Sequence, residues 1–415
     1  MAIKRKLVIV MVGLPARGKS TMARKLARTL ELDGINVRVF NNGELRRRLD
    51  TQEQTSDAEF FSPTNVKGTE MREKISQMNI EYAQQFLHGQ GEVAILDASN
   101  TTRKRRQKIV DAFPGLPLLY IECVNADEEA LEANLERKAG LREFRHLTRE
   151  QALESFMKRI SYYESIYEPL DTEPNRILVD SFDSYILQER ISDVLPYYDR
   201  IRDITTTRVV RNLFLVRHGE TLYNREDRIG GNSDLTDKGE SQAMALAEHF
   251  ATIRIPIIFT SNYKRTLQTA TPVAERQDPC SIIALPEFNE IHAGVCEGLT
   301  YEDIQEKMPQ VARERSRNKY RYVYPEGEGY ISMVERVQRG LKKVFFLNNY
   351  DENIMIVGHR AVNRVILSCF LSRHEAEIPY IYMPQDHYYH IQIDPHKRLF
   401  ELVPYTSSQS FSGRW

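Results

Sequence analysis

A chain of 415 residues with 41% hydrophobic and 28% charged residues is long for a single core, so two or three soluble domains are expected. The 57 Lys and Arg balance 58 Asp and Glu to a net charge of −1, which excludes a global field for nucleic acid or an acidic membrane surface. No run of about 18 apolar residues occurs, so no spanning helix is expected. Met1–Lys6 leads into a strand rather than a secretory signal. Cys123, Cys280, Cys296 and Cys369 are widely spaced, with no Cys-x-x-Cys pair. They read as buried small apolar residues of a reduced, cytoplasmic protein. There is no internal repeat.

Leu7–Val12 is a continuous apolar run, as in a strand buried on both faces. Ser20–Leu32 has helical apolar spacing, and Gly34 suits its end. Val37–Phe40 reads as a strand and Lys67–Leu87 as a long helix. A strand at Val93–Leu96 ends in Asp97. Thr102–Phe113 is helical, Leu118–Val124 is a strand, and two more helices run on through Tyr167. Ile177–Val179 is the last strand of this half. Repeated β-α-β units imply a parallel sheet with helices on both faces. Asp203–Arg208 lacks helical spacing and precedes a fresh strand at Asn212–Val216, so the domain boundary falls there, giving residues 1–205 and 206–415. The second half places strands at Ile255–Thr260, Ser281–Leu285 and Ile354–Gly358, with helices between. Tyr388–Ile393 and Leu399–Val403 read as a pair near the end. The Ser-rich tail, Thr406–Trp415, reads as loose.

Gly13-Leu14-Pro15-Ala16-Arg17-Gly18-Lys19-Ser20 follows a buried strand and opens a helix, the context in which this spacing cradles nucleotide phosphates. Its backbone amides and the helix N-terminus favour anions; Lys19 is expected on the β- and γ-phosphates of ATP and Ser20 on Mg2+. The bland alternative is a Gly-rich turn. Asp97 either holds the same Mg2+ or caps the next helix. The run Asp97–Arg106 sets polar and basic groups at a helix start; such a face is either solvated or, opposite a γ-phosphate, holds an acceptor's phosphate.

Leu215-Val216-Arg217-His218-Gly219-Glu220 ends another apolar strand on a histidine. A neutral imidazole there can attack phosphorus and become phosphohistidine. Arg217, Arg265 and His359 supply positive or donor groups for the transferring phosphoryl, and Glu290 is a candidate to protonate the leaving oxygen. No metal is needed for that chemistry. Taken singly, each of these residues also reads as surface charge.

Both halves together resemble one family, 6-phosphofructo-2-kinase/fructose-2,6-bisphosphatase, from about Leu7 to Pro404. The resemblance rests on Gly13–Ser20, Val39-Phe40-Asn41 with Arg46 and Arg47, Phe60-Phe61, the Asp97–Arg106 run and Phe156–Ile160 with Tyr163. In the second half it rests on Arg228–Gly231, Asn289–Ile291, Ala293–Glu297 and Lys319–Tyr322. It implies an α/β chain of two domains. The first is a P-loop NTPase-like kinase with a parallel sheet and helices on both faces. The second is a histidine phosphatase, phosphoglycerate mutase-like α/β domain. It further implies that Arg46, Arg72, Thr101, Arg103, Lys138, Arg159 and Tyr163 hold fructose 6-phosphate and that Asn134 lies near the nucleotide. Lys19 and Asp97 belong to the kinase chemistry. In the second half the resemblance makes His218 the nucleophile and Glu290 the acid. Arg217, Asn224, Arg265 and His359 hold the 2-phosphoryl group, and Gly230 belongs to the same bisphosphate site. Tyr301, Arg315, Lys319, Tyr330 and Arg364 surround the sugar and its 6-phosphate. The implied partners are the small-molecule substrates ATP, fructose 6-phosphate and fructose 2,6-bisphosphate, with a homodimer and neither nucleic acid nor membrane.

Two residues depart from the family pattern: His292 stands where Asp is usual, and Arg360 where Gln is usual. Arg360 adds charge beside His359, and His292 either alters Glu290 or is a surface change. The chain starts almost at its first strand and has a short tail, so control by long terminal segments is not carried over. Two other functions compete. A nucleic-acid-end kinase/phosphatase would use the Tyr-rich stretch Tyr320–Tyr330 for stacking. A regulatory protein with a dead site would sit poorly with intact Lys19, Asp97, His218 and Glu290.

Overall fold

The computed structural model describes residues 6–49, 55, 57–139, 144, 147–207, 210–277, 279–348, 353–393 and 397–406. The chain forms two compact units, residues 1–208 with 345–351, and residues 209–344 with 352–415.

The first unit runs β1 (Leu7–Val12), α1 (Lys19–Leu32), β2 (Val37–Asn41), α2 (Asn42–Leu49), α3 (Val66–His88), β3 (Val93–Asp97), α4 (Arg103–Ala112) and β4 (Leu118–Val124). It continues through α5 (Glu128–Ala139), α6 (Arg149–Glu164), β5 (Arg176–Asp180), β6 (Tyr185–Arg190) and α7 (Tyr198–Thr206). Its sheet has the order β2-β3-β1-β4-β5-β6, parallel except for β6. All six residues of β1 are buried, because helices cover both faces. Leu7, Ile9 and Met11 pack against α1 and α7, whereas Val8, Val10 and Val12 pack against α3 and α4.

Two elements here escape a reading by apolar periodicity. β6 is an edge strand whose residues are mostly exposed, so it carries no buried alternation. Asp203–Thr206, expected to be non-helical, forms the last turn of α7, and Ile201 and Ile204 are buried against the sheet. The threonine run disguised it: Thr205 Oγ1 donates to the Ile201 carbonyl at 2.8 Å and Thr207 Oγ1 to Asp203 at 2.7 Å.

The second unit runs β7 (Val210–Arg217), α8 (Leu222–Arg225), α9 (Asp237–His249), β8 (Ile257–Thr260), α10 (Lys264–Glu275), β9 (Ser281–Ala284), α11 (Tyr301–Lys307) and α12 (Pro309–Arg317). Then come α13 (Tyr330–Leu347, of which residues 330–344 belong to this unit), β10 (Ile354–Gly358), α14 (Arg360–Ser368), β11 (His387–Ile393) and β12 (Arg398–Pro404). The sheet order is β12-β11-β7-β10-β8-β9. β7, β10, β8 and β9 are parallel, and β11 and β12 add an antiparallel edge, with the two last strands paired as expected. The carboxyl ends of β7, β8 and β10 therefore open on one side, where ligands bind in such sheets.

The cysteines are free, but only Cys123 and Cys296 are buried as expected. Cys280 is partly exposed just before edge strand β9, and Cys369 is exposed beyond the last buried turn of α14. The expected loose tail falls on 406–415, of which 407–415 lie outside the described residues. No helix among the described residues is long and apolar enough to cross a membrane.

Candidate active sites

In the first unit, the loop Gly13–Gly18 links β1 to α1 under tight backbone constraints. Gly13 has φ 134°, and a Cβ there would stand 2.5 Å from the Cys123 carbonyl oxygen. Gly18 caps α1 at φ 77°, with Ser181 2.8 Å from where its Cβ would be. Glycine alone meets both demands. The Gly13 N–H donates to Ser99 O at 3.0 Å, tying the loop to the segment after β3. Asn134, buried on α5, donates to Ala16 O at 2.8 Å, and Arg17 donates to Asn125 O at 2.5 Å. Lys19 folds back so that its Nζ donates to Leu14 O at 2.6 Å. Burial pushes the Lys19 ammonium down to about 8, against the opposing pull of Asp97. Asn41, at the end of β2, joins Ser20 to Asp97: its Nδ2 lies 3.4 Å from Ser20 Oγ and donates to Asp97 Oδ2. A hydroxyl and a carboxylate so placed are hard oxygen donors of the kind Mg2+ takes, with phosphates and water completing its shell.

The expected sugar-phosphate residues gather on two aromatic rings. Arg159 lies 3.7 Å from the Phe61 ring centre, Arg46 5.2 Å and Arg72 6.0 Å, and the Tyr163 ring is 6.2 Å away. Lys138 lies 5.8 Å from the Phe156 ring and Arg159 5.4 Å from it. Ring faces hold cations without neutralising them. Burial, then the neighbouring Arg137, Arg159, Lys19 and Arg47, push Lys138 down to about 7. Thr101 is buried in the loop before α4, where its carbonyl accepts from Glu168 N at 2.8 Å. Arg103 is different. Its half-exposed side chain pairs with Asp171, and its backbone N–H donates to Glu168. Arg105, two residues on, is the one that stands beside Arg72 and Tyr163, balanced by Glu73 at 2.9 Å. Helical spacing was the available signal: from the α4 N-terminus, residues two apart face different directions.

The second unit holds a cavity of about 340 Å3 at the sheet's carboxyl edge. Arg217, His218, Asn224, Gly230, Arg265, Glu290, Tyr301, Arg315, Lys319, Tyr330 and Arg364 all line it. His218 Nδ1 lies 2.7 Å from Gly219 O; a carbonyl only accepts, so Nδ1 carries the proton and Nε2 keeps its lone pair. Burial first, then Arg265 and Arg217, hold His218 well below the usual histidine range. His359 caps α14 and is fully buried, its ring centre 5.3 Å from that of His218. Arg265 Nε donates to its Nδ1 at 3.1 Å, so neutral His359 carries its proton on Nε2, 2.7 Å from Ser261 Oγ. It too is held well below the usual range by burial and Arg265.

Three of the cavity's arginines donate to backbone carbonyls rather than to carboxylates, whereas Arg228 at its rim pairs with Glu226 at 2.7 Å. Arg217 reaches Met383 O at 3.0 Å, Arg265 reaches Gly231 O at 2.7 Å and Arg364 reaches Ile381 O at 2.7 Å. Arg217 Nε is buried with no hydrogen-bond partner, and burial followed by Arg360 pushes Arg217 down to about 10. Burial and then Arg315 push Lys319 down to about 8. Gly230, at φ 68°, has Glu297 2.0 Å from where a Cβ would sit. Glu290 accepts from Ile291 N at 3.0 Å and from Ala361 N at 3.3 Å. Gln385 also lines the cavity, donating to Asn224 Oδ1 at 2.8 Å and to His218 O at 3.3 Å. It sits in an irregular segment before β11, where no periodicity marks it. Of the two departures, Arg360 lines the cavity. His292 does not: its Nδ1 accepts from Gly294 N at 3.3 Å, and its backbone meets Glu328.

Residues 2–217 match the family model described as 6-phosphofructo-2-kinase, and residues 213–405 match that of the histidine phosphatase superfamily, branch 1. A human protein named 6-phosphofructo-2-kinase/fructose-2,6-bisphosphatase 1 is 36% identical over 395 residues, covering 91% of this chain and 80% of the relative. The rat protein named 6-phosphofructo-2-kinase/fructose-2,6-bisphosphatase 4 matches with the same identity and coverage. A Caenorhabditis elegans protein named 6-phosphofructo-2-kinase/fructose-2,6-bisphosphatase is 36% identical over 405 residues, 91% of this chain and 84% of that one. This chain belongs to the 6-phosphofructo-2-kinase/fructose-2,6-bisphosphatase family.

Proposed function

We propose that this member of the family makes fructose 2,6-bisphosphate from ATP and fructose 6-phosphate in its first unit and hydrolyses it in its second. The observation that carries the reading is the pairing, in one chain, of a Lys19-bearing phosphate loop with a neutral His218 lining a cation-rich cavity and a neutral, fully buried His359 whose ring centre lies 5.3 Å away. We assign residues 1–205 to the kinase and 206–415 to the phosphatase, a division supported by the two family matches.

In the kinase site the loop Gly13–Ser20 takes the nucleotide phosphates, with Lys19 moving from the Leu14 carbonyl to the β- and γ-phosphates. Asn134 holds the loop beside the nucleotide. Ser20 and Asp97 would hold Mg2+, which when bound neutralises charge across the phosphates. Arg46, Arg72, Arg159, Lys138 and Tyr163 take the sugar 6-phosphate, with Thr101 at the loop before α4. Arg105 joins them in the place that the family resemblance gave to Arg103. The sugar's 2-hydroxyl oxygen attacks the γ-phosphorus, the bond to the β,γ-bridging oxygen breaks to release ADP, and the hydroxyl proton passes to solvent; catalysis is positioning and charge neutralisation.

In the phosphatase site His218 Nε2 attacks the 2-phosphoryl phosphorus. The P–O bond to the sugar breaks, and Glu290 in its acid form gives its proton to the departing oxygen. Water then attacks the phosphohistidine, Glu290 takes a proton from it, and phosphate leaves with His218 restored. Arg217, Arg265, His359 and Asn224 surround the phosphoryl group, while Tyr301, Arg315, Lys319, Tyr330 and Arg364 take the rest of the sugar phosphate. The rings of Tyr320–Tyr330 pack on one another, Tyr320 with Tyr330 and Tyr322 with Tyr324, and form no free stacking platform.

The same reading gives a cytoplasmic homodimer. The exposed edge of β6, with Tyr185 and Leu187 outward, is suited to pair with its counterpart. Sedimentation of the full chain and of Leu187→Pro tests this: a dimer that falls to monomer supports it, and a wild-type monomer refutes it. For the activities, a paired assay on the purified chain follows ATP-dependent formation of fructose 2,6-bisphosphate and phosphate release from it. Activity in both arms supports the reading, and failure of either in folded protein contradicts that arm.

A further inference from the structure

Glu290 sits on a segment with no strand of its own. β9 ends at Ala284, and only a short 3-10 turn, Pro286–Phe288, precedes the glutamate. A carboxyl that must meet one departing oxygen needs firmer support, since an error of about 1 Å costs about 100-fold in rate. The support comes from α13. Arg336 NH1 donates to Glu287 O and to Asn289 O, each at 2.7 Å, and NH2 reaches Glu290 O at 3.4 Å. Its remaining hydrogen bonds lock the guanidinium: Nε to Glu328 Oε1 at 2.9 Å and NH2 to Glu328 Oε2 at 2.8 Å. Glu328 in turn grips the other side of Glu290, accepting from His292 N at 3.1 Å and donating its own N–H to His292 O at 2.8 Å.

The loops are pressed together where this clamp closes. A Cβ on Gly327 would stand 2.4 Å from His292 O, and one on Gly294 1.9 Å from Pro325 O. Neither Arg336 nor Glu328 lines the cavity. Their effect on the reaction therefore passes through the backbone of residues 287–292 rather than through substrate.

We propose that Arg336, locked by Glu328, is a positioning residue that fixes the Glu290 carboxyl against the departing sugar oxygen. The inference rests on the reading of Glu290 as the acid. A bidentate guanidinium that also spans three carbonyls has no lysine equivalent, because one ammonium cannot reach them all.

The test compares full-length wild type with Arg336→Lys, Glu328→Gln and Glu290→Gln. Two substrates are used: fructose 2,6-bisphosphate, whose alkoxide must be protonated to leave, and p-nitrophenyl phosphate, whose phenolate leaves unaided. Kinase turnover of the same preparation monitors folding. Expected for Arg336→Lys is a fall of about 10- to 100-fold in kcat on the bisphosphate, KM within about 3-fold, and p-nitrophenyl phosphate turnover within about 3-fold. Glu328→Gln should show the same pattern more weakly, and Arg336→Lys combined with Glu290→Gln should be no slower than Glu290→Gln alone. Equal losses on both substrates, or additive losses in the double variant, would overturn the proposal. Failure of wild type to hydrolyse the bisphosphate would instead strike the functional reading itself.

Discussion

The two sites meet the same demand, holding dense negative charge, with the same two neutral partners, ring faces and backbone carbonyls. In the first unit Arg159 stands 3.7 Å from the Phe61 ring centre, while Arg46 and Arg72, over the same ring, also donate to the carbonyls of Thr55 and Phe60. In the second, Arg217, Arg265 and Arg364 donate into backbone carbonyls, while Arg315 stands 5.3 Å from the Tyr301 ring centre and Lys319 5.2 Å from that of Tyr380. Neither device cancels the charge, so the incoming phosphate becomes the counter-ion. The difference lies in what else each site contains. On the proposed reading the phosphatase cavity carries its own nucleophile, His218, whose Nε2 keeps its lone pair because Nδ1–H is fixed on Gly219 O. In the kinase site the nucleophile arrives with the substrate, and the protein supplies a phosphate loop and a lysine parked on Leu14 O.

The sharpest way to break this comparison is to remove the resident nucleophile. His218→Ala should lower bisphosphate hydrolysis by about 10^4-fold or more and leave kinase turnover within about 2-fold. A comparable loss of both activities would show that the sites are not independent. Next, Lys19→Met should lower kinase turnover by about 10^3-fold with hydrolysis unchanged, measured in the same paired assay. A smaller effect, about 10- to 100-fold on hydrolysis, is expected for Ser261→Ala, which strips the buried partner from His359 Nε2. Steady-state kinetics at saturating bisphosphate would show it.

Proton balance should separate the sites most subtly. His218 is neutral until well below pH 6.5, so the acid limb of phosphatase kcat/KM should lie below that value, with activity lost as pH falls through it. Lys138, pushed down to about 7, is charged below that pH and loses its charge above it. The kinase KM for fructose 6-phosphate should therefore rise a few-fold from about pH 7 to 8.5. Lys138→Arg, which keeps its charge, should flatten that rise.

Sequence patterning reached the buried strands and the strand-end motifs because both are local. β1 is apolar at every position, and His218 and His359 each end a strand in a recognisable run. What it missed was non-local or off-period. β6 is exposed and shows no alternation, and the threonines of α7 hide helical spacing behind β-branched side chains. Gln385 touches Asn224 and His218 across some 160 residues of chain, a contact that only the folded sheet creates. Arg103 and Arg105 differ by two positions in a basic run, and only the direction of α4 decides which faces Tyr163.

The central claim, that one chain makes and unmakes the same bisphosphate, is tested most directly by following a label. Wild-type protein is given ATP labelled on its γ-phosphate, with and without fructose 6-phosphate, and acid-labile, base-stable phosphoprotein is measured. The account predicts label on His218 only when the sugar is present, and none in His218→Ala. Label on His218 without the sugar, or bisphosphate formation and consumption that never labels the protein, would contradict it.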